Sequence, residues 1–182
     1  FKARVFSEII SNPNDLKLYS VVILPGIGSF DMAVMKLKKT GLWDAIIDYK
    51  NSGNIILGIC LGMQLLMESS EEGKLKGFGF IRGVVKKFSF NNKNIRVPHM
   101  GWNMVKSNND LFSSFKNNKF YFVHSYYVKT KYMKNILSES SYGFDFTSSI
   151  IDNNVIGVQF HPEKSHNYGL GFFNKFIEIY AK

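Results

Sequence analysis

The sequence predicts an α/β domain built on parallel strands, and three observations carry that expectation. Residues 19–24 read as a strand that ends in a glycine-containing loop, Pro25-Gly26-Ile27-Gly28-Ser29-Phe30, and is followed by a helical stretch. The β-branched run Ile55, Ile56, Leu57 and Ile59 has the composition of a strand buried on both faces. It stops at Gly58-Ile59-Cys60-Leu61-Gly62, after which Met63, Leu65, Leu66 and Met67 read as a helix. Strand, helix, strand, sharp turn and helix in that order require crossover connections, which make the strands parallel and lay helices on the sheet.

The elements follow in chain order. Residues 1–10 can carry a short strand, and Ser11-Asn12-Pro13-Asn14-Asp15 is a turn cluster. After the 19–24 strand, a helix over 31–39 has Asp31 placed to cap it or to favour its first turn. A second helix over 42–51 repeats Leu42, Ile46 and Ile47 at helical spacing, and Gly53 closes it. From 74 to 106 the pattern shortens, with 77–80 and 88–94 reading as loop and hairpin material. Periodicity does not explain Arg96-Val97-Pro98-His99-Met100-Gly101-Trp102-Asn103, and His99 is expected to be a core or surface histidine. A short helix over 110–115 precedes a strong strand, 120–128, with a polar His124-Ser125 step that is either a buried hydrogen-bonded pair or a pocket lining. Strands over 136–142 and 144–151 meander to a turn at Asn153-Asn154, and a strand over 155–160 runs into His161-Pro162-Glu163-Lys164-Ser165. Residues 168–180 form a closing helix with Leu170, Phe173, Phe176 and Ile177 on one face.

A chain of 182 residues fits one domain, here 1–182, with a core that needs no staple. Its one cysteine excludes an internal disulfide, which points to a reducing, cytoplasmic setting. No apolar stretch is long enough to cross a bilayer, and the opening FKARVFSEII lacks the apolar core of a signal peptide. The net charge of +9 is spread over scattered lysines among many asparagines, with no basic helix or aromatic-basic module, so nucleic acid is not an expected partner. One cysteine and four histidines show no paired ligand spacing, and no metal is expected.

Cys60 carries the clearest chemical signal. A strand that turns into a helix between two glycines is the elbow of a nucleophile, lifted clear of the sheet at a helix N-terminus that favours negative charge. Such a nucleophile needs a base. His161 and Glu163, two residues apart in extended chain, would point to one face, so that Glu163 fixes the imidazole and leaves its other nitrogen for Cys60. Taken alone, His161-Pro162-Glu163 reads better as a surface turn. The P-G-I-G loop is either a plain turn or a cradle of N–H donors, and it shares with Cys60 the carboxyl end of a parallel strand.

PGIGSF, GICLGMQ and GVQFHPEKS, in this order and spacing, resemble the class I glutamine amidotransferase family, whose triad is Cys, His and Glu. VPHMGWN and YFVHSYY are similar to the glutaminase subunits of imidazole glycerol phosphate synthases within it. The resemblance implies a three-layer sandwich with a mainly parallel central sheet, helices on both faces and an added antiparallel region. It also implies that an N-terminal strand and helix of the family, with a D-Y-G-x-G-N turn, are missing ahead of Phe1. Carried over by position, Cys60 is the nucleophile, His161 the base and Glu163 its orienter; Leu61 with Ile27 and Gly28 supplies the oxyanion donors; Gly26, Gln64, Ser125 and Tyr126 hold glutamine. Lys164 falls where the family has an interface lysine. The implied partner is a (β/α)-barrel cyclase that uses the ammonia and forms a heterodimer with the glutaminase; no cofactor is implied. A paralogue feeding another synthetase, such as one modifying a surface sugar, would share the same motifs. A noncatalytic scaffold would be marked by loss of Cys, His or Glu, and all three are present.

Overall fold

The computed structural model describes residues 6–181. A 3-10 turn at Pro13–Leu18 leads into β1 (Val21–Leu24), α1 (Phe30–Lys39), α2 (Leu42–Asn51), β2 (Ile55–Ile59) and α3 (Leu61–Leu65). Then come β3 (Ser69–Ser70), β4 (Gly83–Lys87), β5 (His99–Val105), β6 (Asn118–His124) and β7 (Tyr126–Thr130). The chain finishes with β8 (Ile136–Ser141), β9 (Asp145–Asp152), β10 (Val155–Val158) and α4 (His166–Tyr180).

The large sheet runs β1-β2-β10-β9-β7-β4-β3, with β8 paired to β9, while β5 and β6 form a separate two-stranded ribbon. β2 lies between β1 and β10 and is parallel to both, so the buried run before Cys60 is the centre of the parallel part. β9, β7 and β4 continue the sheet antiparallel. Alternation along β2 divides the core in two. Ile56 faces Phe30 and Val34 of α1 and Ile46 and Tyr49 of α2, whereas Leu57 and Ile59 face Phe172 and Phe176 of α4. On the α4 side Phe120 and Phe160 stack with ring centroids 4.0 Å apart. Burying each such ring contributes roughly 1.5–3 kcal/mol, so the aromatic layer under His161 is a main source of its rigidity.

Several expectations change. Of the strand expected over 1–10, residues 1–5 lie outside the described residues and 6–10 form no regular element. Asp31 lies in the first turn of α1, one of its two expected roles, and does not cap the helix. Its carboxylate accepts from Lys74 N at 3.0 Å and Leu75 N at 3.0 Å, while the first amide of α1, Phe30 N, donates to Glu72 Oε2 at 2.9 Å. The loop after β3 thereby fastens both the helix and the P-G-I-G loop that enters it. Residues 88–94 are loop, as expected, but form no hairpin, the neighbouring strand being β4, and the helix expected over 110–115 is a 3-10 turn at Asp110–Phe112. The stretch without periodicity becomes β5. The single strand expected over 120–128 is two, broken at Ser125, where the chain leaves the β5–β6 ribbon and enters the large sheet. In α4 the buried residues are Gly169, Phe172 and Phe176 rather than the face through Leu170, Phe173 and Ile177. A Cβ at Gly169 would lie 1.8 Å from the Pro162 carbonyl oxygen, so the helix can press its glycine side against the turn after His161.

Candidate active site

Cys60 is held at φ 54°, ψ −109°, a region that L residues avoid and that costs on the order of 1–3 kcal/mol. The strain is fixed from both sides. Cys60 N donates to Val158 O at 2.8 Å, and Cys60 O accepts from Gln64 N at 3.2 Å, so the residue belongs to the sheet and to α3 at once. Only glycine fits around the turn. A Cβ at Gly62 would lie 1.7 Å from the Leu24 carbonyl oxygen, and one at Gly58 would lie 2.7 Å from the Gly62 backbone. α3, expected to reach Met67, ends at Leu65, and its first residue, Leu61, has an amide with no intrahelical acceptor.

His161 follows β10 and is 3% exposed. Its N–H donates to Tyr121 O at 2.9 Å and its carbonyl accepts from Ser165 Oγ at 2.6 Å, which ties it to β6 and to the start of α4. Strand alternation does not deliver Glu163, as expected from the sequence; β10 has ended, and a 3-10 turn at Pro162–Lys164 folds the carboxylate back. His161 Nδ1 donates to Glu163 Oε1 at 2.6 Å. His161 Nε2 is buried without a hydrogen-bond partner among the described residues. Cys60 first, and Glu163 next, raise the imidazole against the effect of burial, to about 9. Burial works to raise the Glu163 carboxyl, but its bond to His161 prevails and holds it below the usual range.

A cavity of about 350 Å³ opens beside the sulfur. Gly26, Ile27, Gly28, Leu61, Gln64, Ser125, Tyr126 and Lys164 line it with Cys60 and His161, and Glu163 stands behind the imidazole. The residues singled out in the sequence therefore meet at one place, where β1, β2 and β10 end. Its volume suits a small metabolite. Among the described residues no group of three or more His, Cys, Asp or Glu could hold a metal ion, and no helix is long and apolar enough to cross a membrane.

Residues 3–179 match the family model "Glutamine amidotransferase class-I". The chain belongs to the class I glutamine amidotransferases. It is 48% identical over 179 residues to the imidazole glycerol phosphate synthase subunit HisH 2 of Methanococcus maripaludis, covering 95% of this chain and 88% of that one. It is 41% identical to the HisH subunit of Leptospira interrogans, over 95% and 88% of the two chains. A crystal structure of a glutamine amidotransferase superposes with a TM-score of 0.76 at 14% identity, covering 98% of this chain and 88% of that one, which bears on the fold.

Two further residues of this amidotransferase's site were not singled out in the sequence: Glu72 lines the cavity, and Gln159, wholly buried, donates from Nε2 to Cys60 Sγ at 3.6 Å. His124, expected as a buried hydrogen-bonded residue or a pocket lining, is both. Gln159 had one signal, a polar residue inside an apolar strand; Glu72 lies in a loop that shows none. His99 is buried, as a core histidine, with Nδ1 2.9 Å from His124 Nε2. Outside the cavity, β5 presents Met100, Trp102 and Met104 to solvent on one face. Trp102 borders a shallow cleft of about 290 Å³ with Tyr121, His166 and Lys164, so Lys164 lies on both the pocket and this apolar surface.

Proposed function

We propose that this chain is the glutaminase subunit of an imidazole glycerol phosphate synthase, a single domain that releases ammonia from glutamine for a cyclase subunit in histidine biosynthesis. The observation that carries the reading is the convergence of Cys60, His161 and Glu163 on one pocket in a chain that is 48% identical to a HisH subunit.

Glutamine enters with its side-chain amide over Cys60 and its amino-acid end toward Gln64, Gly26, Ser125 and Tyr126. The Cys60 sulfur adds to the amide carbon. Charge moves to the oxygen, which meets the amide of Leu61 and an amide of the Ile27–Gly28 loop. With a pKa near 9, His161 is an imidazolium at neutral pH and already carries the proton for the leaving nitrogen. Breaking the C–N bond frees ammonia and leaves a Cys60 thioester. A water molecule then gives its proton to His161, attacks the thioester and releases glutamate. Glu163 holds the imidazole in the tautomer that both steps need.

The acid role sets a pH dependence. In the kcat/KM profile, which reports the free enzyme, activity falls as pH rises through about 9, and Glu163→Gln moves that alkaline limb to lower pH. Stability has the same sign: a histidine raised in the folded state contributes fully below its unfolded value near 6.5 and loses that contribution as pH passes 9.

The exposed Met100, Trp102 and Met104 face, continuous with Lys164, has the apolar core and basic edge of a docking surface for the cyclase. Glutamine hydrolysis measured with and without a (β/α)-barrel cyclase and its phosphorylated ribonucleotide should rise roughly tenfold or more when both are present; indifference to them contradicts the reading. Trp102→Ala should weaken cyclase binding by about 2 kcal/mol, roughly thirtyfold in Kd by titration calorimetry.

A further inference from the structure

The amide of Gln159 joins the sulfur to the substrate pocket. Its Nε2 lies 3.6 Å from Cys60 Sγ and its Oε1 3.1 Å from Gln64 Nε2. A backbone carbonyl decides which way both amides face. Tyr126 O can only accept, and it lies 3.3 Å from Gln64, so the NH2 end of Gln64 must face it. Gln64 then also donates to Gln159, which turns its own oxygen toward Gln64 and its NH2 toward the sulfur. The same carbonyl accepts from His124 Nδ1 at 2.7 Å, leaving His124 Nε2 to accept from His99 Nδ1. His99 Nε2 in turn accepts from Asn103 Nδ2 at 3.2 Å. Each hydrogen bond in the chain from Asn103 to Cys60 thereby has a fixed donor and a fixed acceptor.

Two consequences follow for the reaction. The sulfur has an N–H donor on the side of Gln159 and shares its cavity with the His161 imidazole, so its direction of attack is held. Both N–H bonds of Gln64 are engaged inside the protein, which leaves its oxygen as the group offered to a bound molecule.

We propose that Gln159 is a positioning residue of the hydrolysis: it donates a hydrogen bond to the Cys60 sulfur and orients the Gln64 amide so that its oxygen meets the ammonium end of the substrate. The inference rests on Cys60 as the nucleophile. No bond to Gln159 forms or breaks. As the sulfur adds to the amide carbon, its charge passes to the substrate oxygen and the Gln159 bond weakens; it re-forms when glutamate leaves and the thiolate returns.

Gln159→Met keeps the length of the side chain and removes donor and acceptor. Cys60 is the one cysteine, so carbamidomethylation by iodoacetamide can be followed by intact mass. In a variant whose circular dichroism and melting match the wild type, alkylation at pH 7 should slow at least about fivefold and its pH profile should move to higher pH. In the complex with the cyclase, KM for glutamine should rise at least about threefold while kcat falls. A folded variant with the wild-type alkylation profile and KM overturns the inference, as does lowered stability with an unmoved profile. An inert thiol in the wild type would instead sink Cys60 as nucleophile. If the variant does not fold, NMR of the wild type decides: the Gln159 side-chain amide should resist exchange and shift on carbamidomethylation, and an unprotected, unshifted amide overturns the inference.

Discussion

Cys60→Ala should abolish glutamate release, lowering kcat by roughly 10⁴-fold or more while the protein stays folded and the pocket still binds glutamine. The loss is that large because the sulfur provides the covalent path; the amides of Leu61 and the P-G-I-G loop can polarise the amide but have nothing to deliver to it. Alanine keeps the left-handed φ of 54°, so melting should move little. Cys60→Gly goes further. Glycine adopts that conformation without strain, so the inactive variant should be at least as stable as the alanine one, by about 1 kcal/mol in urea denaturation. Equal activity in Cys60→Ala and the wild type would remove the basis for the thioester.

The second large effect is structural. Gly62→Ala places a Cβ 1.7 Å from the Leu24 carbonyl oxygen, and the obstacle is backbone at the end of β1 rather than a side chain that can swing away. The elbow must open or β1 must shift, and either change displaces the P-G-I-G loop that follows Leu24. The expected cost is about 3 kcal/mol or more, measured as a fall in urea midpoint or as loss of soluble protein. Gly28→Ala is the useful contrast. Gly28 has φ 99° but open space around it, so its substitution should cost about 1 kcal/mol in strain and spare the fold. A Gly62→Ala protein as stable as Gly28→Ala would contradict the close approach of α3 to β1.

These two glycines show why part of the site was legible in the sequence. The elbow, the P-G-I-G loop and the His161–Glu163 pair are each set by neighbours within a few residues, so composition and spacing reveal them. What escaped depends on contacts between distant segments. Ser125 looks like a polar interruption of one strand, but it is the corner between two sheets, because β6 finds its partner in β5 and β7 in the large sheet. β5 itself defeated periodicity because its outward residues, Met100, Trp102 and Met104, are apolar and exposed, the reverse of a strand with a solvated face. Glu72 belongs to the site because it caps α1 across 42 residues of chain, and no local rule announces such a partner. His161 and Glu163 were paired correctly for a different reason than the one given, through a turn begun by Pro162 instead of strand alternation.

The central claim is that Cys60 attacks the side-chain carbon of glutamine. The measurement that meets it most directly is labelling by a glutamine analogue whose amide is replaced by an electrophilic ketone, with intact mass and peptide mapping. The account predicts one adduct, on the peptide that carries Cys60, with labelling suppressed by glutamine but not by asparagine and absent in Cys60→Ala. Labelling elsewhere in the chain, or at Cys60 with no protection by glutamine, would contradict it.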